Sequence, residues 1–299
     1  MVRTPFVIVA FAGVVAVYLA ATTVIPTIAA GALLHPARRP LDRERPANCA
    51  DVVFAGEDVT LNGWQCNAAG QRRGTLVFLH GVGDNRGSAA GAVDRFLSRG
   101  LDVVAYDSRA HGESTGEACT YGYWEKRDLK RVLYQASAGP VVLLGTSLGA
   151  AVALQEAADD GRVIGVVAAE VFSDLQTVAR ERAPRFLPES MIQRAFSIAE
   201  ARGHFSMDEV SPAEAARRIR IPVLLIHGAE DIDTPPDHSR RVLAALAGPK
   251  ELLIVQGARH NESLRPSDTW RRIDRWVETV LARVPRASWP ADSRSFFDN

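Results

Sequence analysis

Short apolar runs recur along this chain, each followed by a stretch of helical periodicity, and this alternation restricts the fold more than any other feature. TLVFLH precedes AAGAVDRFLSRG, LDVVAYD precedes YWEKRDLKRVLYQAS, and PVVLLG precedes SLGAAVALQEAAD. RVIGVVAAE follows, then IPVLLIHG with DHSRRVLAALA and ELLIVQG with DTWRRIDRWVETVLARV. A strand that is apolar at every position is buried on both faces, and connections of this length are helical crossovers between parallel neighbours. The pattern predicts an α/β fold, with a mostly parallel sheet covered by helices on both faces, over residues 49–284. DVVFAG and DVTLNGWQC alternate loosely around a turn and predict an antiparallel pair at its start. At 299 residues the chain is long enough for one sizeable core. The segment from about 171 to 216 is amphipathic and predicts a small helical cap beside the sheet.

The N-terminus is of another kind, with no charge between Arg3 and Arg38. Phe6 to Ile25 are twenty predominantly apolar positions. As a helix they would extend about 30 Å, the thickness of a bilayer core. Residues 1–35 are therefore expected to form a transmembrane anchor whose helix Pro26 ends. A cleaved signal segment with Ala30-Gly31-Ala32 as its cleavage site, giving a secreted form, is the alternative. Arg38, Arg39, Arg43 and Arg45 follow the span and by the positive-inside tendency favour a cytoplasmic body. A bridge between Cys49 and Cys66 would favour an oxidising outer compartment instead. Residues 36–48, charged and proline-bearing, read as a linker, and 285–299 as a loosely held tail.

With 35 basic and 35 acidic side chains and no long Lys/Arg block, nothing points to nucleic acid as a partner. Cys49, Cys66 and Cys119 do not have the spacing of a metal site, so neither metal nor cofactor is expected. LHGVGDNRGS opens a G-x-G after a predicted strand, and Asp107 closes the next one, as in a dinucleotide-binding unit. The third glycine should stand at 86, where the chain has Arg86.

The chemistry points elsewhere. Gly145-Thr146-Ser147-Leu148-Gly149 is a G-x-S-x-G pentapeptide between the run PVVLLG and a helical segment. There a sharp turn exposes the serine oxygen, provided its neighbours are small. A serine nucleophile requires a base, itself oriented by a carboxylate. IPVLLIHG is followed by Glu230, Asp231 and Asp233, and ELLIVQG by His260, each where such sheets carry their sites. His80 and His111 are rival bases. Cys119, Tyr121 and Tyr123 are candidates to line a pocket.

In the order LHGVGDN, YDSRAHGES, GTSLGA, LIHGAEDIDTP and GARH, residues 50–283 resemble the α/β-hydrolase superfamily, and within it the serine esterases and lipases. The resemblance implies Ser147 as nucleophile, His260 as base and Asp231 as acid, with Asp233 as fallback. It implies an oxyanion hole from the backbone N–H groups of Val82 and Leu148, and gives His80, His111 and Asp107 structural roles. The expected reaction is two-step acyl transfer on a carboxylic ester or thioester, from a small molecule or a membrane lipid. A peptidase or amidase of the same fold is the alternative, followed by a non-catalytic binding module and a nucleotide binder. Relatives of this fold that use an aspartate nucleophile are excluded by serine at 147.

Overall fold

The computed structural model describes residues 22–137 and 139–285. These form an eight-stranded sheet in the order β1-β2-β4-β3-β5-β6-β7-β8. The strands are β1 (Cys49–Ala55), β2 (Thr60–Cys66), β3 (Gly74–Leu79), β4 (Leu101–Tyr106), β5 (Val141–Thr146), β6 (Val163–Ala169), β7 (Val223–Gly228) and β8 (Lys250–Val255). β1 pairs antiparallel with β2, and β2 antiparallel with β4, while the other neighbours are parallel.

The predicted two-sided burial is visible residue by residue. In β3, Val77 and Leu79 join the core on one face and Leu76 and Phe78 the core on the other. Val141 and Leu143 of β5 alternate with Val142 and Leu144 in the same way. Helices α2 (Ala90–Leu97) and α9 (Ser267–Leu281) cover one face through Phe96, Ile273 and Val277. On the other face lie α3 (Glu125–Ala136), α4 (Leu148–Ala157) and α8 (Asp237–Ala245), through Leu129, Leu154 and Val242. Each such fully buried Leu, Ile, Val or Phe contributes roughly 1.5–3 kcal/mol. Between β6 and β7 the chain leaves the sheet as α5 (Leu175–Arg182), α6 (Glu189–Gly203) and α7 (Pro212–Ala216).

The N-terminal segment departs from expectation. Most of the apolar span Phe6–Ile25, residues 6–21, lies outside the described residues, as does the tail from 286. Residues 22–34 are helical, here α1, and the helix runs through Pro26 instead of stopping there. Its proline is buried, and Ala30 and Leu34 are core residues. A proline ring removes one hydrogen bond from a helix, and burial of Pro26 against the body offsets that loss. Among the described residues no helix is long and apolar enough to cross a membrane. Leu34 O accepts from Cys119 N–H at 2.8 Å, Leu33 O from the Tyr121 hydroxyl at 3.2 Å, and Glu117 O from His35 Nδ1 at 2.7 Å. Arg38 donates to Ser114 O and Gly116 O, and the segment then passes Asn85, whose Nδ2 donates to Arg39 O at 3.3 Å and Pro40 O at 3.1 Å. Cys49 and Cys66 form a disulfide across the β1/β2 pair.

One buried acid makes stability pH-dependent. Glu156, in the last turns of α4, is 4% exposed and its Oε1 has no hydrogen-bond partner among the described residues. Burial, then the charges of Asp160 and Asp159, push its carboxyl from 4.5 up to about 8. The folded state thus holds a proton that the unfolded chain releases, and stability falls as pH rises from 4.5 to about 8. Glu156→Gln is expected to flatten that slope and to stabilise the protein by about 2–4 kcal/mol above pH 8. Denaturant unfolding of both proteins between pH 5 and 9 checks this, and parallel curves would refute it.

Candidate active site

Ser147 stands between β5 and α4 with φ 48° and ψ −109°, a conformation that L-residues rarely adopt. The pentapeptide's glycines explain how the turn is possible. A Cβ on Gly145 would lie 2.3 Å from the Gly149 backbone, and one on Gly149 would lie 2.1 Å from Leu79 O. The helix start can therefore press against β3 and β5 only if both positions lack side chains. Ser147 N–H donates to Ala169 O at 2.8 Å, which fixes the turn to the end of β6.

The loops after β7 and β8 bring two further groups to this turn. His260 Nε2 lies 3.1 Å from Ser147 Oγ, and His260 Nδ1 lies 2.6 Å from Asp231 Oδ2. Asp231 Oδ1 accepts from Thr234 N–H at 2.8 Å and from Asp233 N–H at 3.1 Å. Burial acts to raise the Asp231 pKa, but hydrogen bonds from His227, His260 and Thr234 N–H prevail and hold it well below the usual carboxylate range. Asp233 and Glu230 are exposed, and Asp233 serves the loop as a backbone donor to Asp231.

The rival histidines are committed elsewhere. His80 accepts from Ser108 N–H at 2.9 Å on Nε2 and donates from Nδ1 to Gly81 O at 2.7 Å. His111 donates from Nδ1 to Arg109 O at 2.8 Å. Burial lowers both, His111 to about 4, so each is a neutral strut within its loop. Arg86, the residue in place of a third glycine, is buried, donates its N–H to Asp107 Oδ1 at 2.7 Å and pairs its guanidinium with Asp107 Oδ2 and Glu113. Asp107 is fully buried by that pair and offers nothing to a ribose.

Ser147 opens into a cavity of about 320 Å³. Val82, Leu148, Tyr121 and Phe172 line it beside the serine. The Val82 and Leu148 N–H groups have no acceptor among the described residues. Cys119 lies buried below, its thiol pushed far up by burial, and Tyr123 packs its ring on Trp124 and Phe205, away from the cavity. Arg182 of the cap reaches back to the acid loop, donating to Asp233 O at 2.9 Å and Thr234 Oγ1 at 2.7 Å.

Sequence reasoning missed Glu170, the residue that ends RVIGVVAAE. It is 1% exposed, and its carboxylate accepts three consecutive backbone N–H groups: Asn261 at 2.7 Å, Glu262 at 3.1 Å and Ser263 at 3.0 Å. These immediately follow His260. An acid at the C-terminal end of an apolar strand was the available signal.

The hydroxyl, imidazole and carboxylate hydrogen-bonded in series beside one cavity form an arrangement able to move a proton from Ser147 Oγ to His260 and leave the oxygen nucleophilic. Among the described residues, no group of acids, histidines and cysteines could hold a metal. A family model described as "Alpha/beta hydrolase family" matches residues 76–298. The uncharacterized protein YqkD of Bacillus subtilis is 32% identical over 196 residues, covering 62% of this chain and 64% of that protein. The chain thus matches just under two thirds of that relative's length. The palmitoyl-protein thioesterase ABHD10, mitochondrial, of Mus musculus is 27% identical over 60% of this chain and 66% of its own length. Among solved structures, the Pyrococcus furiosus esterase Pf2001 aligns with a TM-score of 0.66 at 23% identity, covering 83% of this chain and 99% of that one.

Proposed function

The chain belongs to the alpha/beta hydrolase family, and from that premise we propose that it is a serine hydrolase cleaving carboxylic esters or thioesters through an acyl-enzyme. The observation that carries this reading is the hydrogen-bonded series Ser147 Oγ, His260 and Asp231. Ser147 Oγ attacks the carbonyl carbon while His260 Nε2 takes its proton, and Asp231 holds the imidazole and stabilises its cation. The Val82 and Leu148 N–H groups receive the developing oxyanion. His260 then protonates the departing alcohol or thiol, and a water activated by the same imidazole releases the acid. The relative named as a thioesterase is in keeping with this reading. An amide would demand fuller protonation of its leaving amine, so esters are expected to turn over faster than matched anilides. Hydrolysis of p-nitrophenyl esters and anilides by wild type and Ser147→Ala tests this reading. Unchanged ester turnover in Ser147→Ala would end it.

The disulfide supports placing the body in an oxidising compartment, against the positive-inside tendency of the arginines after the span. Cleavage after Ala32 would remove cavity-lining residues, so the N-terminal segment is read as retained and as a membrane anchor through Phe6–Ile25. Alkylation of intact cells followed by mass measurement, together with carbonate extraction, tests both points. Free Cys49 and Cys66 thiols, or full release by carbonate, would count against them.

A further inference from the structure

The cavity beside Ser147 is not enclosed by the cap alone. Ile25, Ala29 and Leu33 of α1 form one side, and Leu175, Leu187 and Phe196 of α5, α6 and the loop between them form the other. α1 is held there independently of any substrate, through Leu33 O, Leu34 O and His35 on the loop 117–121. It also packs on the end of α6, where a Cβ on Gly203 would lie 3.0 Å from Leu34 Cδ2. The helix is part of the site's wall.

We infer that α1 and the cap together form an acyl-chain pocket, so that the substrate is an ester or thioester of an apolar aliphatic acid well longer than acetate. This rests on the serine hydrolase reading for the reaction, though not for the binding. The lining is aliphatic and aromatic apart from Ser147 and the Arg182 head group, which is engaged by the acid loop. Arg182 is the one charged side chain among the described lining residues, and its Nε and one terminal nitrogen are committed to Asp233 O and Thr234 Oγ1. The pocket meets Ser147 at the same place as the two free N–H groups, so a carbonyl held there directs its chain between α1 and the cap. The volume lies in the range of small-molecule sites, so the space accepts an aliphatic chain far longer than an acetyl group. Ala29 sets the width on the α1 side: it lines the cavity yet stays exposed, so a larger side chain enters the pocket without displacing core residues.

Two measurements on the full chain decide the matter. In a p-nitrophenyl ester series from acetate to palmitate, kcat/KM of wild type is expected to rise by about tenfold or more from acetate to decanoate. Ala29→Trp is expected to lower the ratio of decanoate to acetate kcat/KM about tenfold or more, and Leu187→Ala to move the optimum towards longer chains. Calorimetric titration of decanoic acid into Ser147→Ala, with and without Ala29→Trp, reads the pocket without turnover. Saturable binding that Ala29→Trp weakens about tenfold supports the proposal. A flat or acetate-peaked series together with no decanoic acid binding overturns it, even while Ser147-dependent hydrolysis stands. Turnover that survives Ser147→Ala defeats the hydrolase reading instead, and the titration still decides the pocket.

Discussion

Asp231→Asn is expected to lower kcat by about 10⁴-fold with a smaller change in KM. An asparagine can keep contact with His260 Nδ1, but its amide cannot stabilise the imidazolium that forms when Ser147 loses its proton, and its N–H₂ favours the wrong tautomer. Asp231 Oδ1 also accepts from Thr234 and Asp233 N–H, so loop geometry is at stake along with charge. The depressed Asp231 pKa has a linked consequence. Its contribution to stability is fully present above the ordinary carboxylate range and lost as pH falls through the lowered folded value. Asp231→Asn should therefore resist strong acid relatively better than wild type while being almost inactive. Steady-state kinetics and acid unfolding check the pair, and activity within about tenfold of wild type would refute the role.

The second large effect is expected at Glu170. Glu170→Ala removes the acceptor of the backbone N–H groups of residues 261–263, at about 1–3 kcal/mol for that of buried Ser263 and less for the two partly exposed ones. Both stability and activity should fall. Glu170→Gln is the sharper probe, because one oxygen can still serve Glu262 and Ser263 while its amide faces Asn261 N–H, next to His260. It is expected to lower kcat about tenfold at nearly constant KM, while most of the stability lost in Glu170→Ala returns. Equal loss of stability in both variants, with kcat unaffected in Glu170→Gln, would make Glu170 a structural residue only. A fall in kcat of about tenfold with stability restored in Glu170→Gln would make Glu170 a positioning residue that acts through His260.

How far these features could be read from sequence follows from the range of the interactions. Strands such as PVVLLG were legible because burial on both faces leaves an unbroken apolar run. Ser147, Asp231 and His260 were legible because each follows a strand that announces itself, and the structure brings the three together. Glu170 left only an acid at the end of an apolar run, since its partners are backbone N–H groups some ninety residues away in sequence. Arg86 and Asp107 imitated a dinucleotide loop because an ion pair at a separation of 21 positions cannot be distinguished in sequence from a ribose-binding acid. The α1 helix was the hardest case. Residues 22–34 line a protein cavity with the same residue types that would face lipid, and Pro26, ordinarily a stop, is tolerated where its ring is buried.

The central claim is that Ser147 is a nucleophile activated by His260, and covalent labelling tests it without a known substrate. Wild type treated with an alkyl fluorophosphonate is expected to gain one adduct, located by peptide mass spectrometry on Ser147, with labelling slowed by orders of magnitude in His260→Ala. Absence of an adduct on Ser147, or equal labelling in His260→Ala, would contradict it.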